Sequence, residues 1–171
     1  MRKSLWIMLL LMLTCTAVHA QKFALIDTEY ILGRIPAYEQ ANRQLEQSSK
    51  QWQSEVEKLS QEAKALYQSY QNSGKSLSEA QRAKKEEEIV AKEKAAADLR
   101  RKYFGPDGEL ALLQEELLQP LQDDIYEAVK AISNQRGYTL VLDRATAGSI
   151  IFASPSIDIS NEVLAKLGYS N

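Results

Sequence analysis

The only cysteine and the only histidine of this chain, Cys15 and His19, both fall near its start, and from Gln21 onward it has neither. A chain without these side chains makes no disulfide, no thiolate nucleophile, no Ser-His-Asp triad and no ordinary zinc site. Most hydrolase and metalloenzyme functions go with them, and the lack of cysteine argues against a small disulfide-stapled domain. Apolar runs are equally scarce, since past residue 20 no segment is long and apolar enough to cross a bilayer. A complete phosphate-binding loop is also missing. Gly74-Lys75-Ser76 has the ending of one, but Ser69 stands where its first glycine belongs and no strand precedes it. No catalytic residue, cofactor site or metal site is predicted.

The one sustained apolar run, residues 5–14, follows Arg2 and Lys3 and leads to Val18-His19-Ala20. A positive start, a short apolar stretch and small residues at the cleavage positions predict a signal peptide over residues 1–20, cut after Ala20. The run is too short to span a membrane comfortably, so a cleaved leader is expected and not an anchor. Thr14 directly before Cys15 makes a poor lipidation site. Losing Arg2 and Lys3 moves the formal charge from −2 to about −4. Arg100-Arg101-Lys102 on such an acidic exported chain is not a nucleic-acid site.

What the chain does have is nearly a hundred residues rich in Gln, Glu, Lys, Ala and Leu, from Pro36 to about Arg136. Tyr38, Ala41, Leu45, Ser48, Trp52, Val56, Leu59, Ala63, Leu66 and Tyr70 follow steps of three and four, which put one narrow apolar stripe along a helix. After a polar turn at residues 72–76 the stripe resumes more thinly at Ile89, Lys92, Ala96, Leu99 and Tyr103. Two helices joined by a short polar loop predict an antiparallel hairpin over residues 37–108, with arms roughly 50 Å long at 1.5 Å per residue. Ser78, followed by Glu79 and Gln81, is placed to cap the returning helix. Gly105-Pro106-Asp107-Gly108 should kink or break it, opposite about residue 45.

From Glu109 the helical stripe grows more apolar, through Leu110, Leu113, Leu117, Leu121, Ile125, Ala128 and Ile132, which marks entry into a core. Three short runs read as strands buried on both faces: residues 22–27, with Thr28 capping a helical turn after it, residues 138–143 and residues 150–153. Asp158 or Ser160 caps a last short helix that ends at Gly168. The fold class is α+β, a long antiparallel coiled-coil hairpin on a small β body built from residues 21–36 and 109–171. So small a sheet needs cover on both faces, most simply from a second copy of the chain. Phe23, Leu25, Leu140, Leu142, Ile150 and Phe152 are the residues one subunit cannot fully bury.

The ordered combination of leader, Phe23-Ala24-Leu25-Ile26-Asp27, hairpin, Tyr138-Thr139-Leu140-Val141-Leu142-Asp143 and Asp158-Ile159-Ser160-Asn161-Glu162 resembles the Skp/OmpH family of periplasmic chaperones across essentially the whole mature chain. The resemblance implies a homotrimer whose β body holds three helical tentacles around a cavity. It implies ATP-independent binding of unfolded outer-membrane proteins in the periplasm. Family members known for lipopolysaccharide binding are basic. Here residues 105–171 carry four basic and ten acidic side chains. Lys84, Lys85, Lys92 and Lys94 are the candidates for lipopolysaccharide or membrane-surface contact.

Trp52, Tyr67, Tyr70 and Tyr103 lie on arms with little core to fill. They either staple the hairpin together or meet apolar client segments, as amphipathic rings do well. Glu86-Glu87-Glu88 and Asp123-Asp124 are solvated helix faces, because adjacent helical residues do not face each other. A structural or adaptor coiled coil of the cell envelope is the alternative function, in which the hairpin tip docks end-on to another component.

Overall fold

The computed structural model describes residues 22–73 and 76–169. The expected signal peptide with its cleavage after Ala20, and the tip residues Gly74 and Lys75, lie outside the described residues. The chain divides into two compact units, one of residues up to Ile31 together with Tyr126 onward, the other Leu32–Ile125.

In the first unit, β1 (Lys22–Ile26) pairs in parallel with β2 (Tyr138–Asp143), with Phe23 level with Leu140 and Leu25 with Leu142. Asp27, and not Thr28, caps the short helix α1 (Thr28–Leu32), its carboxylate accepting from the Tyr30 N–H at 2.9 Å. Thr28 has another use: its N–H and hydroxyl both donate to Asp143, at 3.0 and 2.7 Å. A left-handed glycine, Gly137 at φ 72°, separates the long helix before it from β2. The expected third strand is absent, and the sheet of the described residues is β1 with β2. The second edge of β1 is taken by the chain after the 3-10 turn Pro155–Ile157. There Leu25 bridges to Asp158, and the Ile159 N–H donates to the Leu25 carbonyl at 2.9 Å. An apolar run such as residues 150–153 reports a need for cover, not which backbone it will pair with.

The strands are also not covered on both faces within one chain. Ala24, Leu25 and Ile26 are buried, but Phe23, Leu140 and Leu142 stand 47 %, 46 % and 41 % exposed. Val163 and Leu164 anchor the last helix, α5 (Ser160–Lys166), in the core. It closes on Gly168 at φ 86°, where the Tyr169 N–H returns to the Leu164 carbonyl.

The second unit is the hairpin: α2 (Pro36–Ser73), α3 (Glu79–Phe104) and the first part of α4 (Glu109–Arg136). Every position of the predicted stripe is buried or half-buried, on α2 from Tyr38 to Tyr70 and on α3 from Ile89 to Tyr103. Ser78 and Gln81 form a reciprocal capping box at the start of α3. The pairs Trp52–Tyr103, Glu62–Lys92 and Tyr70–Glu86 set one antiparallel register, so the chain reverses near Leu77. That register brings Gly105 level with about Lys50, farther along α2 than the expected Leu45. The interruption after α3 is a full break. A Cβ at Gly105 would lie 2.4 Å from the Arg101 carbonyl oxygen, and one at Gly108 only 2.8 Å from that of Tyr103. Such an approach excludes any side chain without movement of the backbone. α4 runs on through Pro120.

Candidate functional site

The arm aromatics do not form one cluster. Trp52 and Tyr103 meet across the hairpin, their rings stacked at 5.0 Å with 10° between planes, and Phe104 meets Tyr103 edge-on at 6.4 Å. The Tyr103 hydroxyl donates to Glu55 at 2.6 Å. That bond holds the Glu55 carboxyl below its usual range, with the Gln51 amide adding to it, and raises the Tyr103 phenol. Tyr70 donates to Glu86 nearer the tip, and the bond raises its phenol too. These three rings therefore staple the two helices. Tyr67 differs: it is 47 % exposed and lines an open hollow of about 350 Å³ together with Ala63, Ala96 and Ala97.

Of the four lysines, Lys92 pairs with Glu62 across the hairpin at 2.6 Å and holds that carboxyl down, while Lys94 pairs with Asp98 one turn along α3. Lys84 is exposed and Lys85 half-buried on the same helix.

Strand register places Phe23, Leu25, Leu140 and Leu142 on one face of the sheet, because side chains at paired and alternate positions share a side. Three of the four are strongly exposed, whereas Leu25 is 5 % exposed and belongs to the core of its own subunit. Further along, Ile151 is fully exposed and Phe152 83 % exposed, while Ile150 is half-buried. Ile151 lies outside the set predicted to need cover, although its run reads as a strand buried on both faces.

A polar node ties this unit together, and no sequence motif announces it. Asp27 receives Arg144 at 2.8 Å, its own N–H donates to Ser160 Oγ at 2.9 Å, and the Ser160 hydroxyl donates to Asp158 at 2.6 Å. Asp143 accepts from Thr28, from the Ala145 N–H and from Thr146. Asp27 sits below the ordinary aspartate range through the Tyr30 N–H first and Arg144 second. Burial pushes Asp143 up, and the donors at Thr28, Thr146 and Ala145 more than reverse it. Ser160, 3 % exposed, is the buried polar group that links these segments. The signal was present only as an aspartate or serine at each turn, a pattern that local capping also explains.

Among the described residues the arrangement offers docking surface: half-exposed rings and shallow hollows on the hairpin, and an apolar strand face on the other unit. A family model described as "Outer membrane protein (OmpH-like)" matches residues 22–167. A protein of Pectobacterium atrosepticum named "Chaperone protein Skp" is 25 % identical over 150 residues, 86 % of each chain. One of the same name from Yersinia pseudotuberculosis is 26 % identical over 149 residues, again 86 % of each. The crystal structure of an OmpH-like protein from Caulobacter crescentus superposes with a TM-score of 0.67 at 13 % identity, covering 86 % of this chain and 84 % of that one.

Proposed function

Because the chain belongs to the OmpH-like family of outer membrane proteins, we propose that it is an ATP-independent holdase chaperone of the periplasm, binding unfolded outer-membrane proteins and keeping them from aggregating. The observation that carries this reading is the hairpin. A 38-residue helix packs on a 26-residue partner through alanines and half-exposed rings, which gives far more surface than core. Many weak contacts spread along such an arm suit a client that has no fixed shape. The related proteins named as chaperones over most of their length support the same reading.

The working unit is a homotrimer assembled through residues 21–36 and 109–171, with Phe23, Leu140, Leu142, Ile150 and Phe152 in its interface. Residues 37–108 are the client-binding arm. Any contact with lipopolysaccharide falls to Lys84 and Lys85, since Lys92 and Lys94 already hold carboxylates.

Light scattering from a urea-unfolded outer-membrane barrel, diluted without nucleotide, tests the reading. The mature protein should suppress scattering at a stoichiometric amount of trimer. Deleting residues 59–96, whose ends lie level in the hairpin register, should abolish suppression and leave the remainder folded. Full scattering with the intact protein present sinks the chaperone reading and leaves the envelope adaptor in its place.

A further inference from the structure

The two sides of the hairpin are not alike. The cross-helix links Glu55–Tyr103 and Glu62–Lys92 and the Trp52 ring lie on one side. On the other side the helices are left open by two hollows of about 350 and 390 Å³, which adjoin at Arg100 and lie end to end as a groove along the hairpin. Its lining repeats by sevens. On α2 it takes Gln53, Ser60 and Tyr67, and on α3 it takes Ala97 and Phe104. Val90, 61 % exposed, stands one heptad before Ala97. From Gln53 to Tyr67 the groove is roughly 21 Å long.

The repeat selects the shape of the occupant. Same-face side chains of an extended strand recur every ~6.7 Å, while a heptad on a helix recurs every ~10.5 Å. A groove between two helices that offers holes at the second spacing accepts the knobs of a third helix. The floor is small, with Ala63, Ala96, Ala97 and Ser60, so the knobs have to be large.

The rims carry a charge pattern. Glu57 and then Lys64 line the α2 side, and on the α3 side Arg100 lies near the level of Glu57 and Glu93 near that of Lys64. Among the described residues, none of these four takes part in an ion pair. An occupant helix therefore meets acid on one flank and base on the other, and the signs exchange one heptad further along.

We infer that this groove is a docking lane for an amphipathic helix of another protein, about four turns long, with large apolar residues at heptad spacing. At one level its flanks carry a base toward Glu57 and an acid toward Arg100. One heptad on they carry an acid toward Lys64 and a base toward Glu93. The lane goes beyond the holdase reading, which needs only dispersed contacts and no preferred shape.

The test uses the full mature chain and designed helical peptides of about eighteen residues. One peptide carries the matching flank charges, and a second has every flank charge reversed on the same apolar face. Fluorescence anisotropy should show the matched peptide binding, and its circular dichroism should show helix gained on binding. The reversed peptide should bind about tenfold or more weakly, since opposed like charges cost affinity. Ala97→Trp, at an exposed position, should fill the lane and remove binding of the matched peptide. Equal binding of the two peptides overturns the proposal, and so does undiminished binding to the Ala97→Trp protein. A strand-forming peptide of alternating pattern that displaces the matched helix at equal concentration also overturns it. Self-association lost in Ala97→Trp, without peptide binding, would make a second copy the occupant instead. Scattering assays on the same variant keep the two readings apart. Suppression that survives Ala97→Trp leaves the holdase standing whichever way the peptides fall.

Discussion

Asp143 gathers donors from a residue 115 positions away in sequence and from its own following turn, so it ties distant segments of the first unit together. Replacing it by asparagine turns one acceptor oxygen into a donor facing donors, a loss of about 1–3 kcal/mol. Urea unfolding of the Asp143→Asn protein measures it. The same group predicts acid behaviour. Asp27 and Asp143 both hold protons less tightly folded than unfolded, so the unfolded chain binds more protons in acid. Their contribution is complete above the ordinary aspartate value of 3.8 and is lost as pH falls through their lower folded values. The urea midpoint should drop steeply below about pH 4 in the native chain and less steeply in Asp143→Asn. An equal fall in both would show that Asp143 does not carry the acid sensitivity. At this scale the helical stripe was legible, because each of its residues reports burial through local spacing alone. The aspartate node was not, because its members meet only after the chain has folded and each one separately resembles an ordinary cap.

Between elements, the hairpin is held by a thin seam that a few side chains reinforce. Stacked rings contribute about 0.5–1.5 kcal/mol beyond their buried area. A double-mutant cycle on Trp52→Ala and Tyr103→Ala should therefore give a coupling of that size, read from thermal unfolding by circular dichroism. A coupling near zero would mean that the 5.0 Å stack is contact without stabilisation. The Glu62–Lys92 pair, with both side chains about two-fifths exposed, should add little to stability and fade with salt. The break at residues 105–108 was legible from Gly-Pro-Asp-Gly, whose residues are incompatible with a continuous helix. The third strand was misread for a different reason. Residues 150–153 have strand composition, but the second edge of β1 is held by Asp158 and Ile159 instead. Pairing is a property of two segments, and a single sequence displays one segment at a time.

For the whole molecule, the prediction concerns the exposed strand face. In an isolated chain Leu142 is 41 % exposed, and a charge placed there would change stability by no more than about 0.5 kcal/mol. In a trimer that buries the face, the same charge loses an apolar contact worth ~1.5–3 kcal/mol in each subunit and adds desolvation to it. Sedimentation equilibrium should give a trimer for the mature protein and a monomer for Leu142→Asp. A native chain that sediments as a folded monomer at micromolar concentration would refute the assembly, and a trimer that survives Leu142→Asp would move its interface elsewhere. That one chain leaves apolar strand residues uncovered was legible in a sheet too small for them. The identity of the exposed set was not, since Leu25 and Leu142 look alike in sequence and only one of them is covered by its own chain.

The parallel pairing of β1 with β2 also fixes an order in time. β1 is the first element of the described chain, and its ladder partner begins at Tyr138, after all of the hairpin has been made. Helix–helix contacts between near neighbours form quickly, whereas pairing across such a separation has to wait for its second half to exist. A chain emerging from its amino end therefore carries β1 unpaired for most of its synthesis, with Phe23 and Leu25 without their strand neighbours. Any truncation before Tyr138 leaves that strand permanently without its partner. The stretch least able to fold early is the one that arrives first.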